Sequence, residues 1–215
     1  MNAMPLRAAP LLLASLLACA ALTPPALAQQ AMPAPPGQPG PLSAPTALTL
    51  ETLLKRIGGR SSLETRFEEK KHLAVLDAPV QSSGVLRYRA PARLEKNTEH
   101  PVKESLILDG AMVIVERAGR RRSMPAAQLP GVEALVGGLR DTLGGDAEAL
   151  RRVFKVVLQG DPEHWQLDLL PLEASSALLV SRITLRGRGI HVAEVETLQA
   201  DGDRSVMTLS NPAVP

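Results

Sequence analysis

Between Phe154 and Ser210 apolar side chains recur at alternate positions within strand-like runs, joined at three places by short turns that hold Gly, and few folds accept that pattern. Period two is the repeat of a β-strand with one face buried and the other wet, and strands joined by turns this short run antiparallel. The stretch FKVVLQGDPEHWQLDLLP predicts a hairpin through Gly160, Asp161 and Pro162. On its second arm Trp165, Leu167 and Leu169 share one face, while His164, Gln166 and Asp168 share the other. Two more hairpins follow, turning at Arg186 to Gly189 and at Asp201 and Gly202. The last third of the chain is therefore expected to be an antiparallel meander.

Upstream, SLETRFEEKKHLAVL predicts a long, charged, edge-like strand, and SSGVLRYRAPARLEKNTEH two more, broken at Ala90 and Pro91. LILDGAMVIVE predicts a hairpin hinged on Asp109 and Gly110, residues that tolerate the positive φ of a tight turn. Hinged there, Leu106, Leu108, Met112 and Ile114 point to one side, and Ile107, Val113 and Val115 to the other. Both faces of that hairpin then need cover. Two helical segments are expected to supply some of it. Leu50, Leu53, Leu54 and Ile57 keep helical spacing between a cap at Thr49 and a stop at Gly58 and Gly59. Val132, Leu135, Val136, Leu139 and Leu143 do so again, and Asp146 caps a shorter helix ending near Val153. The fold class is α+β: a strongly curved antiparallel sheet of about ten strands whose concave face receives the helices.

The N-terminus is expected to be a secretory signal, residues 1–28: Arg7, the apolar run LLLASLLACAAL, then small residues with cleavage after Ala28. An alternative takes LLAC as a lipoprotein box acylated at Cys19, the chain's one cysteine. The leader 29–47 is rich in Pro, Gly and Ala and shows no period, so a single domain is expected over 48–211, with a tail at 212–215. After export 187 residues remain, with 23 Lys and Arg (24 less Arg7) against 22 Asp and Glu, a balance that does not suggest nucleic acid. Phe67, Tyr88, Phe154 and Trp165 are the only aromatics, so the interior must be built from aliphatic side chains. His72, His100, His164 and His191 have no ligand-like spacing, no serine sits in a nucleophile elbow and no carboxylates pair off. No enzyme, metal or cofactor is expected. Arg117, Arg120, Arg121 and Arg122 form either a solvated hairpin tip or a basic lip for anionic headgroups or an acidic partner.

The order of these elements resembles the LolA family, periplasmic carriers that ferry lipoproteins toward the outer membrane. The resemblance runs through RFEEKKHL (Arg66 to Leu73), SGVLRYRAP (Ser83 to Pro91), LILDGAMVIV (Leu106 to Val115), HWQLDLLP (His164 to Pro171) and DGDRSVMTLS (Asp201 to Ser210). It implies a half-open β-barrel of 10 or 11 strands, lidded by helices, with an apolar cavity for the acyl chains of a lipidated protein or another acylated lipid client. It also implies an inner-membrane donor, an outer-membrane acceptor and a monomer located in the periplasm. Acyl contacts are then expected from Leu50, Leu53, Leu54 and Ile57 of the first helix and from Leu135 and Leu139 of the second. From the strands they are expected from Leu86, Tyr88, Leu106, Leu108, Met112, Ile114, Phe154, Val156, Trp165, Leu167 and Leu169. The family has an arginine just before the strand-breaking proline that helps control the lid. Here Ala90 holds that place, and the role is carried to Arg89, one residue earlier. Arg120, Arg121 and Arg122 are expected to meet headgroups or a partner. Two alternatives stay open: a closed core in place of a cavity, and an envelope protein-interaction or stress-sensing module on the same fold. Mass spectrometry of the exported protein is expected to find Gln29 at the N-terminus; a chain beginning at acylated Cys19 would overturn the signal assignment.

Overall fold

The structure, a computed structural model, describes residues 48–210. The expected signal segment with Cys19 and Ala28, the leader and the tail lie outside the described residues. Eleven strands form one antiparallel sheet: β1 (Ser62–His72), β2 (Val80–Arg89), β3 (Arg93–His100), β4 (Glu104–Asp109), β5 (Met112–Arg117), β6 (Arg120–Pro125), β7 (Phe154–Gly160), β8 (Trp165–Pro171), β9 (Val180–Arg188), β10 (His191–Gln199) and β11 (Arg204–Ser210). Their spatial order is β6-β5-β4-β3-β2-β1-β11-β10-β9-β8-β7, so β6 and β7 are edges and the curved sheet does not close. Four helices accompany it: α1 (Leu50–Ile57), α2 (Pro130–Gly144), α3 (Ala147–Val153) and the single turn α4 (Ala174–Ala177).

Local chemistry explains the boundaries. The Thr49 hydroxyl accepts from the Thr52 N–H at 3.2 Å and opens α1, and the Gly58 N–H returns to Leu54 O at 2.8 Å and ends it. Asp146 caps α3 through the Ala149 N–H at 2.8 Å. In the β7–β8 turn, one Asp161 carboxylate oxygen accepts from the N–H groups of Glu163 and His164. Trp165 lies over Gly187, where an added Cβ would stand 2.1 Å from the indole ring, and its Nε1 donates to Gly189 O at 3.0 Å. These features follow the spacing in the sequence.

Two expectations are corrected. β1 is not an edge but the middle strand, between β2 and β11. Glu64, Arg66, Glu68 and Lys70 alternate with Leu63, Thr65 and Phe67, so they mark a wet convex face and give no edge protection. The β4–β5 turn is centred on Gly110 and Ala111, because Asp109 pairs with Met112, Leu108 with Val113 and Leu106 with Val115. Gly110 takes the positive φ (57°) at the first turn position. This one-residue shift reverses the second arm: Val113 and Val115 face inward with Leu106 and Leu108, while Met112 and Ile114 face outward with Ile107. Ile107 is nonetheless buried, with Glu95 and Ile114 directly opposite it on the neighbouring strands.

The concave face is apolar over most of its area but holds one buried carboxylate. Glu69, 4% exposed, accepts from Lys96 Nζ at 2.5 Å, Ser205 Oγ at 2.6 Å and Ser82 Oγ at 3.1 Å, tying β1 to β2, β3 and β11. Lys96 also sits over the Phe67 ring, 5.1 Å from its centre. Burial alone would raise the Glu69 pKa, but Lys96, Lys71 and the Ser205 hydroxyl outweigh it and hold the carboxyl below its ordinary 4.5. A depressed folded pKa stabilises the fold above the ordinary carboxylate range, and this contribution is lost as pH falls through that range. Urea unfolding is therefore expected to show stability falling in acid, with a flatter profile for Glu69→Gln. Lys96→Met, which strands the carboxylate, should cost about 3–5 kcal/mol, and Glu69→Leu with Lys96→Met much less.

Candidate functional site

The helices lie on the concave face, where α2 touches β3 and β9 and α3 touches β7. Leu53, Leu54 and Ile57 of α1, Val136, Leu139 and Leu143 of α2 and Leu150 of α3 interlock with Phe67, Leu86, Tyr88, Leu108, Phe154, Trp165, Leu167 and Leu169 in one buried cluster. Each fully buried leucine here contributes about 1.5–3 kcal/mol. The Tyr88 hydroxyl donates to Pro91 O at 3.3 Å, and burial pushes the phenol above its ordinary value.

α2 is held differently at its two ends. An added Cβ on Gly58 would come within 2.6 Å of Gly145 Cα, so α1 and the end of α2 meet backbone to backbone. Arg140 donates to Gly110 O at 3.2 Å and pairs with Asp141 at 2.6 Å, joining the same half of the helix to the β4–β5 turn. The N-terminal half has no side-chain cap. Beside it an open groove of about 400 Å³ is lined by Leu106, Leu129, Val132, Leu135, Val136, Leu179 and Val180, with Gln128, Thr197 and Gln199 at its polar margin. Pockets for small ligands run to roughly 300–1,000 Å³. A larger hollow of about 800 Å³ lies between the ends of β3–β6, but Lys103, Glu104, Glu116, Arg117, Arg120 and Arg121 line it, and its charges suit no hydrocarbon.

The residues expected to touch acyl chains thus fall into four places. Leu50, Leu53, Leu54, Ile57, Leu86, Tyr88, Leu108, Leu139, Phe154, Trp165, Leu167 and Leu169 lie in the packed cluster, and Val156 lies at its edge. Leu106 and Leu135 line the groove. Ile114 is half-buried on the outer face, and Met112, also outward, is 38% exposed. Arg89 is exposed at the end of β2 on the side opposite Tyr88, so it cannot act on the lid from inside; Arg140 is the arginine that ties α2 to the sheet. Arg120, Arg121 and Arg122 are exposed on the edge strand β6, with Arg121 paired to Glu116 at 2.6 Å. Leu129, Leu179 and Val180 were not among the expected site residues. Leu179 and Val180 follow the α4 turn, with no periodic pattern to mark them as a wall. Among the described residues no three His, Cys, Asp or Glu side chains are grouped to hold a metal.

Residues 42–214 match the family described as outer membrane lipoprotein carrier protein LolA-like, and the chain belongs to that family. No curated protein sequence matches it. Among solved structures it is similar to a LolA superfamily protein from Nitrosomonas europaea, at 10% identity over 79% of this chain and 96% of that one, with a TM-score of 0.42. It is also similar to a putative outer membrane lipoprotein-sorting protein domain from Vibrio parahaemolyticus, at 9% identity over 75% and 89%, TM-score 0.42. A third is the lipoprotein LppX of Mycobacterium tuberculosis, at 14% identity over 77% and 97%, TM-score 0.39.

Proposed function

We propose that this protein is a periplasmic carrier that takes an acyl chain of a lipidated protein, or of another acylated lipid, into the groove beside α2 and passes it from an inner-membrane donor to an outer-membrane acceptor. The observation that supports this most is the open apolar groove beside the uncapped N-terminal half of α2, in a chain of a lipoprotein-carrier family. A chain of about ten methylenes gains roughly 8 kcal/mol on burial. Ordering the chain and the helix takes back several kcal/mol, which leaves binding that a partner can reverse.

The groove holds the first part of a tail, and deeper entry requires α2 to move. Gly137 and Gly138 are the place for that movement. Gly138 has a packing reason, since an added Cβ would stand 3.1 Å from Leu169 Cδ1. Gly137 has none, as nothing would lie within 4 Å of its Cβ, and a glycine inside a helix weakens it by roughly 0.5–1 kcal/mol relative to alanine. Bending there lifts the end carrying Val132 and Leu135 while Arg140 and Gly145 stay attached.

Titration of purified protein with a fluorescent fatty acid tests the reading. Uptake is expected, with loss of about tenfold or more in Val132→Asp or Leu135→Asp, which place a charge on the groove wall, and no loss in Met112→Asp. Protein that ignores the probe yet captures another envelope protein would favour the interaction-module alternative. Gly137→Ala is expected to raise thermal stability and slow uptake.

A further inference from the structure

Nine large apolar side chains among the described residues are exposed, and eight of them lie at one end of the sheet. The strand register defines that end: β1, β3, β5, β8 and β10 all terminate there. Val75 and Leu76 crown the β1–β2 turn, at 87% and 50% exposure, Val102 the β3–β4 turn, and Leu172, Leu178 and Leu179 the segment around α4. Only Met112 is at the opposite end. Exposed apolar residues scattered singly need no explanation, but eight of nine on one end do. Leu179 also belongs to the groove wall, so the apolar groove opens at this same end.

This end of the sheet is net basic. The turns and strand ends at 70–80, 103–104 and 116–122 carry seven Lys and Arg against three Asp and Glu. Those at 151–155, 171–182 and 199–204 carry five, Arg151, Arg152, Lys155, Arg182 and Arg204, against Glu173, Asp201 and Asp203. Arg117 and Arg121 are paired with Glu104 and Glu116, but Lys103, Arg120 and Arg122 have no acidic partner within 4 Å among the described residues.

We infer that this end of the sheet docks on an anionic phospholipid bilayer, with the apolar turn tips entering the interface and Lys103, Arg120 and Arg122 meeting headgroup phosphates. Single tips spread along successive turns suit a fluid interface, which needs no matching pockets, better than a protein partner. The inference rests on the carrier function only in giving the groove a source of chains: a tail drawn up beside Leu179 passes from bilayer to groove without crossing water.

Flotation of the exported protein with phosphatidylethanolamine–phosphatidylglycerol vesicles tests it, with phosphatidylcholine vesicles for comparison. Binding is expected to the anionic vesicles only, falling at least about tenfold when salt rises from about 0.05 to about 0.5 M. Val75→Ser with Leu76→Ser should lower it about tenfold, and Arg120→Ser with Arg122→Ser severalfold. Met112→Ser should leave it unchanged. Fatty-acid uptake without vesicle binding overturns the docking surface and leaves the carrier function standing; vesicle binding without uptake does the reverse. Equal losses from the turn-tip pair and from Met112→Ser, or capture of a protein partner with no vesicle binding, also overturn it.

Discussion

An antiparallel sheet that curves without closing presents one large apolar surface, and everything else in this molecule follows from how that surface is kept from water. Eleven strands supply the concave wall and three short helices supply its cover. The cover is cooperative: α1 meets the end of α2 at Gly58 and Gly145, and α3 leans on α1 through the Arg151–Glu51 pair. Leucines from the helices fill the layer between. With few aromatics available, close aliphatic packing does the filling: among the described residues the helix leucines and the concave face form one buried cluster where the resemblance implied a cavity, and the open groove lies beside α2.

Function on such a fold lives where the packing stops. Backbone contact and an arginine tie α2 down at its C-terminal half, and its N-terminal half packs through Ala134, Val136 and the close approach of Gly131 to Leu179. On that N-terminal half Val132 and Leu135 meet an unfilled groove. On the proposed function a lipid chain uses that groove without undoing the core, and the glycine pair at 137–138 sets how far the helix gives. The same end of the sheet gathers the exposed apolar tips, so the groove and the proposed docking surface share one end of the sheet.

Much of this was legible in the sequence, and its limits have physical causes. Alternation in Trp165, Leu167 and Leu169 named the inward face correctly, because a strand with one wet face can satisfy only one register. Alternation in Met112–Val115 did not, because that hairpin arm is apolar on both sides, and only the turn decides which side faces in. Gly110 with Ala111 forms the turn instead of Asp109 with Gly110, and this moved Val113 and Val115 to the core. Arg89 failed for the same reason of parity. The charges of β1 could protect an edge or line a wet face; pairing with β11, far away in sequence, chose the second. The groove was harder to see, since Leu179 and Val180 become a wall only when β9 and β10 curl round to face β4.

The central claim is that a hydrocarbon tail enters beside the N-terminal half of α2. Photolysis of the purified protein with a diazirine-bearing fatty acid, followed by peptide mapping, measures this directly. Labels are predicted on the segments holding Leu129 to Val136, Leu179 and Val180. Labels confined to the outer face or to the charged hollow at Arg117 to Arg121, or no label at all, would contradict it.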